Sequence, residues 1–332
     1  MPKQLFSLFF GILACFVFTS QARSQTVIVQ KENEIHCTVN EKPLFVYRAS
    51  PGSYEKLADN EYKTYMSELC TPEGRNILRD APWDHLHHHG LMFAIAADDV
   101  NFWEEHGKDN AGVQLGHTIS FSCNADTRQI NNEPIRWIAN GALFQKVDWY
   151  KPDKTIVINE HRTIKVARGS DLDVTLLTWT STLSAGPGRE SVKLSGSHYY
   201  GLGMRFDETM DKNGTFFCDP GSTIVTDNVR GDEKKTPCKW MAYTAELHGK
   251  PVTVAVFDTP DNPRPMNAFT MGELGQSFAY MAATVDLEKE PIILENGEPL
   301  MFRYVVAVWE GKKSTEEVEE VYQRRFAVPD AP

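Results

Sequence analysis

The chain is built from short runs in which apolar and polar residues alternate with a period of two, and helical periodicity is almost absent. This pattern constrains the fold most, because a strand sends successive side chains to opposite faces and a helix does not. It is clearest in Asp171-Leu172-Asp173-Val174-Thr175-Leu176, after which Leu177-Thr178-Trp179 shifts the phase by one residue. Comparable runs fill residues 26–30, 34–39, 43–47, 63–69, 112–121, 134–139, 143–150, 155–166, 191–200 and 300–309, with polar turns such as Asn40-Glu41-Lys42 between them. Residues 240–247 and 251–257 read as a hairpin across Gly249. Residues 207–237 read as the longest irregular stretch, a surface excursion or lid. Only residues 315–325 carry a helix signature, with Ser314 as its cap and Glu317 at the capping-box position. Many short strands without interleaved helices predict an all-β protein: a large antiparallel β-sandwich with a short C-terminal helix. A chain of 332 residues that is 41% hydrophobic can bury a sizeable core. No linker or internal repeat divides it, so residues 23–332 are expected to form one domain.

The N-terminus has a different character. Met1-Pro2-Lys3-Gln4 supplies a short positive region, residues 5–18 are almost wholly apolar, and Ser20-Gln21-Ala22 has a small-x-small pattern. Residues 1–22 therefore read as a secretory signal peptide, which places the mature protein outside the cytoplasm, periplasmic or extracellular. Ile12-Leu13-Ala14-Cys15 offers a lipoprotein cleavage site instead, but the apolar run continues past Cys15. No later segment reaches the roughly 18 uninterrupted apolar residues of a spanning helix, so no integral membrane segment is expected. A formal net charge of −11 argues against nucleic acid and anionic membranes as partners, since both call for a basic footprint. Beyond the leader remain Cys37, Cys70, Cys123, Cys218 and Cys238, an odd number. Cys218 and Cys238 flank a loop-like segment and are the expected pair. The spacings match no zinc ribbon.

Four of the ten histidines fall within Asp84-His85-Leu86-His87-His88-His89-Gly90. Imidazole moves protons near neutral pH and binds borderline metals, so this stretch is the first candidate for chemistry. An extended backbone would send His85, His87 and His89 one way and Asp84, Leu86 and His88 the other, whereas a loop would mix these faces. Asp84 can orient a neighbouring imidazole by accepting its second N–H. His198-Tyr199-Tyr200 ends a strand-like run and leads into a Gly201-x-Gly203 turn, with Arg205 beyond it as a fork for carboxylates or hydroxyl pairs. Glu160-His161-Arg162 reads as structural more than catalytic. Trp83, Phe102, Trp103, Tyr199, Tyr200, Trp240 and Phe269 crowd these polar groups. Aromatic faces beside hydrogen-bonding side chains suit sugar rings. There is no nucleophile elbow, phosphate loop or His-Glu-x-x-His element.

Several of these stretches resemble a bacterial family of exported proteins labelled "methane oxygenase PmoA" or treated as a domain of unknown function. Its Asp-His-Pro-His-His-Arg-(Gly/Ser)-Leu signature is similar to Asp84 through Leu91, with Leu86 in place of proline and His89 in place of arginine. Further similarity lies in Asp99-Val100-Asn101 with Phe102-Trp103, in Gly116-His117, in Tyr200-Gly201-Leu202-Gly203-Met204-Arg205 and in Asn262-Pro263-Arg264. A membrane-bound copper oxygenase subunit needs several spanning helices, which this chain lacks past its leader. The resemblance implies instead a galactose-mutarotase-like supersandwich whose histidines and carboxylates act as acid and base on a sugar.

Together these readings predict an exported carbohydrate-active protein, epimerase-, lyase- or hydrolase-like, acting on a sugar or oligosaccharide. His85, His87 and His88 are the expected catalytic groups, with Asp84 as orienter. His198, Tyr200, Arg205, Asn262, Arg264, Trp103 and His117 are the expected substrate-binding residues. Two alternatives stand beside this: a hydrolase or oxygenase with a divalent metal held by His85, His87 and His88, and a sugar-binding module without catalysis.

Overall fold

The computed structural model describes residues 26–49, 62–105, 107, 110–123, 127–130, 133–169, 173–225, 229–272 and 278–326. The expected signal peptide and the alternative cleavage site at Cys15 lie outside these residues. Two large antiparallel sheets dominate. The first runs in the order Thr26–Lys31, Glu34–Val39, Lys42–Arg48, Tyr65–Leu69, Leu91–Ala94, Gly201–Arg205, Tyr280–Thr284, Asn267–Met271, Lys234–Pro237. The second runs Thr215–Cys218, Trp240–Leu247, Lys250–Asp258, Leu300–Glu310, Val174–Ala185, Ile156–Gly169, Glu133–Tyr150, Val113–Cys123. A smaller sheet joins Ile292–Glu295, Ser191–Ser195, Ala96–Ala97 and Val100–Asn101. The two large sheets share one core. Leu202, Met204 and Met281 of the first pack in the same cluster as Leu177, Trp179, Val254 and Val306 of the second. This is the antiparallel sandwich that the alternation predicts.

The opposite face of the second sheet carries Val305, Ala307 and Trp309, and the helix Thr315–Phe326 covers it with Val318 and Val321. Its start is the capping box read from the sequence: the Glu317 amide donates to Ser314 Oγ, and the Ser314 amide donates to Glu317 Oε2 at 2.8 Å. Between the sheets sits a buried polar knot. Arg162 donates to both oxygens of Glu160 at 2.7 and 2.8 Å, and Trp149 Nε1 and Ser181 Oγ also donate to that carboxylate. Arg162 also reaches the Thr64 carbonyl and the Tyr47 hydroxyl across the core. Glu160 and Arg162 point inward while His161 is exposed, so the Glu-His-Arg run is structural.

Four features of the sheets and cysteines differ from the sequence reading. Residues 207–237, read as irregular, hold two paired strands, Thr215–Cys218 against Trp240–Leu247 and Lys234–Pro237 against Asn267–Met271. Residues 134–139 and 143–150 belong to a single strand, Glu133–Tyr150, because the ladder to Ile156–Gly169 runs through Asn140-Gly141 and the ladder to Val113–Cys123 takes up at Gly141. Gly201-x-Gly203 is a central strand and not a turn, paired to Leu91–Ala94 and Tyr280–Thr284. Cys218 and Cys238 are free thiols. Burial pushes both upward, Cys238 further by the neighbouring Cys218 and both by Asp219, which keeps them protonated and poorly nucleophilic.

Candidate active site

The histidine loop hangs from the central strand of the first sheet. The Arg79 amide donates to the Arg205 carbonyl at 3.0 Å, and the Arg205 amide donates to the Gly90 carbonyl at 2.8 Å. Within the loop, the His85 amide donates to Pro82 and the His88 amide to His85, each at 2.9 Å, and Ala81 closes onto His88. These are two successive turns, the loop geometry that mixes the two faces of an extended segment. The segment is short of partners for a ladder, so local turns satisfy its backbone. Gly90 is required where the loop rejoins the sheet: its φ is +35°, and a Cβ there would lie 2.3 Å from the Met66 carbonyl oxygen.

The turns gather imidazoles that a strand would have separated. The His85 and His88 rings stack with centroids 4.8 Å apart, and His87 meets His88 edge-on at 4.6 Å. Each ring then meets a different environment. His85 Nδ1–H donates to Asp84 Oδ2 at 3.1 Å, leaving Nε2 free on a side chain that is 38% exposed. Burial tends to raise Asp84, but the His85 hydrogen bond and the Arg205 charge, 3.6 Å away, outweigh it and hold the carboxyl below its usual range. His87 Nδ1 lies 3.2 Å from Glu104 Oε1. Burial lowers the pKa of His87, with the Glu104 charge opposing and Lys63 and His85 adding to the shift. His88 is enclosed, and burial together with the charges of His87, His85 and Arg205 pushes it down to about 2. His88 is therefore a neutral hydrogen-bonding group at any ordinary pH.

The floor is aromatic. Trp103 stacks on Tyr200 at 5.3 Å and 10°, meets Tyr199 edge-on at 5.5 Å, and lies 6.4 Å from His88. Arg205 and Tyr280 are cross-strand partners on one face, and the Arg205 guanidinium lies 3.5 Å over the Phe278 ring. Gly203 lets this floor form, since a Cβ there would sit 1.8 Å from the Tyr280 hydroxyl and 2.7 Å from Trp103. At the far side His198 Nε2–H donates to Glu233 Oε2 at 3.0 Å, and its ring meets Tyr199 at 5.1 Å. Tyr199 bridges the halves: burial and the charges of Glu104 and Glu233 both raise its hydroxyl. Burial lowers Arg205 to about 10 against the opposing charges of Asp211 and Asp84.

Several buried polar atoms here have no hydrogen-bond partner among the described residues: His88 Nδ1, Trp103 Nε1, the Tyr280 hydroxyl, and Nε and Nη1 of Arg205. Each such group costs about 1–3 kcal/mol. Such unpartnered buried groups are rare, and here five of these atoms gather beside one loop.

The structure thus brings together Asp84, His85, His87, His88, Trp103, His198, Tyr200 and Arg205. It places three expected residues elsewhere. His117 donates to Asp148 at 2.6 Å on the edge strand of the second sheet. Asn262 is spent on Asp258 and on both backbone groups of Arg303, and Arg264 on the carbonyls of Val285, Glu290 and Pro291. Glu104, Glu105, Asp211, Glu233, Phe278 and Tyr280 join the site without having been read from the sequence. For Glu104 and Glu105 a signal existed, a carboxylate pair directly after Phe102-Trp103. Among the described residues, no three His, Cys, Asp or Glu side chains converge as a metal site, and no helix is long and apolar enough to cross a membrane.

The sequence matches a family described as a family of unknown function, DUF6807, over residues 34–323, and not under the methane-oxygenase label. No curated protein matches it. Similar solved structures include an alpha-galactosidase from Lactobacillus brevis, 8% identical over 93% of this chain and 44% of that one, with a TM-score of 0.45. They also include a beta-arabinopyranosidase, 11% identical over 86% and 40%, with a TM-score of 0.47. A GH36 alpha-galactosidase from Geobacillus stearothermophilus is 10% identical over 87% and 41%, with a TM-score of 0.40. The chain spans less than half the length of each of these structures.

Proposed function

Because the chain belongs to DUF6807, a family of unknown function, its chemistry is read from its own site, and we propose an exported carbohydrate-active enzyme that performs acid/base chemistry on a sugar. The observation that carries this reading is the pair of solvent-facing imidazoles on one loop, His85 fixed by Asp84 and His87 beside Glu104, over the aromatic floor of Trp103 and Tyr199. A sugar ring stacks its C–H face on the partly exposed Tyr199 while its hydroxyls meet the polar rim, and the buried Trp103 supports Tyr199 from behind. His87, held neutral near pH 7, takes a proton as general base. His85, with its Nδ1–H held by Asp84, enters the step carrying a second proton on Nε2 and gives that one up as His87 takes its own, the usual division of labour for a carbon-centred or anomeric proton transfer. His88 forms a neutral wall. Arg205 and His198 hold hydroxyls or a uronate carboxylate at the two ends.

The test is a panel of neutral and acidic mono- and oligosaccharides incubated with the protein in D2O and followed by NMR for altered anomer exchange, deuterium uptake or bond cleavage. His87→Ala should remove turnover, about 10²–10⁴-fold for a general base, while leaving the melting temperature nearly unchanged. Turnover that survives His87→Ala sinks the assignment. Saturable binding with no product from any sugar points to the non-catalytic module instead.

A further inference from the structure

We propose that His89 is a positioning residue, held as a doubly donating imidazolium that clasps the loop of His87 to the loop of Glu104. Its ring is 6% exposed and both nitrogens face carboxylates: Nδ1 lies 3.0 Å from Asp80 Oδ1 and Nε2 lies 2.8 Å from Glu105 Oε1. A neutral imidazole has a single N–H and can satisfy only one of them; two carboxylate acceptors call for the cation. Glu105 does not supply the missing proton. Burial tends to raise it, but the His89 hydrogen bond and the charges of Lys63 and His89 carry it down to about 2.

The surroundings are built for this charge. Tyr65 stacks on the ring at 4.4 Å and donates its hydroxyl to Asp80 Oδ2 at 3.1 Å. Arg48 lies 3.4 Å from Asp80, and the buried Lys63 3.2 Å from Glu105. Each carboxylate therefore has a second cation or donor, and neither is left unpaired.

The consequence is geometric. His87 and His89 lie two residues apart on one loop, and Glu104 and Glu105 are neighbours on the other. The His89–Glu105 contact is thus a buried twin of the half-exposed His87–Glu104 contact. Fixing the first sets the register of the second, while His89 itself touches no substrate. Its bridge to Asp80 also closes the base of the histidine loop. That the clasp serves catalysis rests on the function proposed above; the protonation of His89 does not.

Two measurements on the full chain test this. In histidine-labelled protein at pH 7.5, nitrogen NMR should show one ring with both nitrogens protonated and slow to exchange, identified by its loss in His89→Gln. A His89 ring with one bare nitrogen overturns the proposal, with or without a known sugar. In His89→Gln, the titration midpoint of His87, read from its Cε1–H resonance, should move, and kcat on a converted sugar should fall about 10²-fold with KM little changed. His89→Arg, which restores a buried cationic fork, should recover part of both. An unmoved His87 midpoint in a folded His89→Gln overturns the positioning role. If no sugar is converted while both NMR results hold, the proposed function fails and the clasp stands.

Discussion

Burial of His88 should make the protein measurably acid-labile. In the folded chain its imidazole is pushed from 6.5 to about 2. The unfolded chain takes up a proton below about pH 6.5 that the folded chain refuses. Stability is thus full above that pH, falls as pH drops through it, and keeps falling until the folded form also protonates near the bottom of the range. Between pH 7 and pH 5 one such group removes about 2 kcal/mol, a figure that hardly depends on the folded value provided it lies well below 5. The assay is urea denaturation at both pH values for the wild type and His88→Gln. Glutamine takes no proton. It forfeits the ring contacts with Trp103, Phe278 and Tyr280, but at both pH values alike, so that loss cancels in the difference. His87 meets the His88 ring at 4.6 Å, so the same pair of measurements in a His87→Ala background removes its own titration from the difference. The wild type should lose about 2 kcal/mol more than the variant on going from pH 7 to pH 5. Equal losses would refute the claim that the folded site keeps His88 neutral.

Two substitutions separate architecture from the site. Glu160→Gln leaves the Arg162 cation buried between the sheets without its counter-charge and should cost about 3–5 kcal/mol, read as a lowered urea midpoint; a midpoint within error of wild type contradicts the knot described here. Asn262→Ala strips the bonds to Asp258 and Arg303 and should cost about 1–3 kcal/mol while sparing turnover on any sugar found. Lost turnover at unchanged stability would return Asn262 to the rim of the site.

The strands that the sequence shows plainly are the half-buried ones. Glu34–Val39 and Ser191–Ser195 each keep one side toward solvent, and their burial alternates residue by residue. Gly201–Arg205 and Tyr280–Thr284 are buried at every position, one glycine-rich and the other rich in alanine, so neither shows a period of two. These two strands carry Arg205 and Tyr280, and the sheet under the site was therefore the least readable part of the fold. The histidine loop is visible in the sequence as a cluster, but its shape is not. An extended frame and a loop assign its faces differently, and only the fold shows that its backbone, with few partners of its own, closes into turns.

From the sequence alone come the all-β class, the capped C-terminal helix and the cluster of four histidines in one loop, because alternation, capping and composition are local properties of the chain. The fate of each histidine is decided only in three dimensions. His85, His87, His88 and His89 lie within five residues of one another, yet one is fixed by Asp84, one sits beside Glu104, one is sealed in neutral and one is gripped by Asp80 and Glu105. The proton affinity of an imidazole follows its burial and the carboxylates brought to it, and those arrive from loops that only the folded sheets bring together.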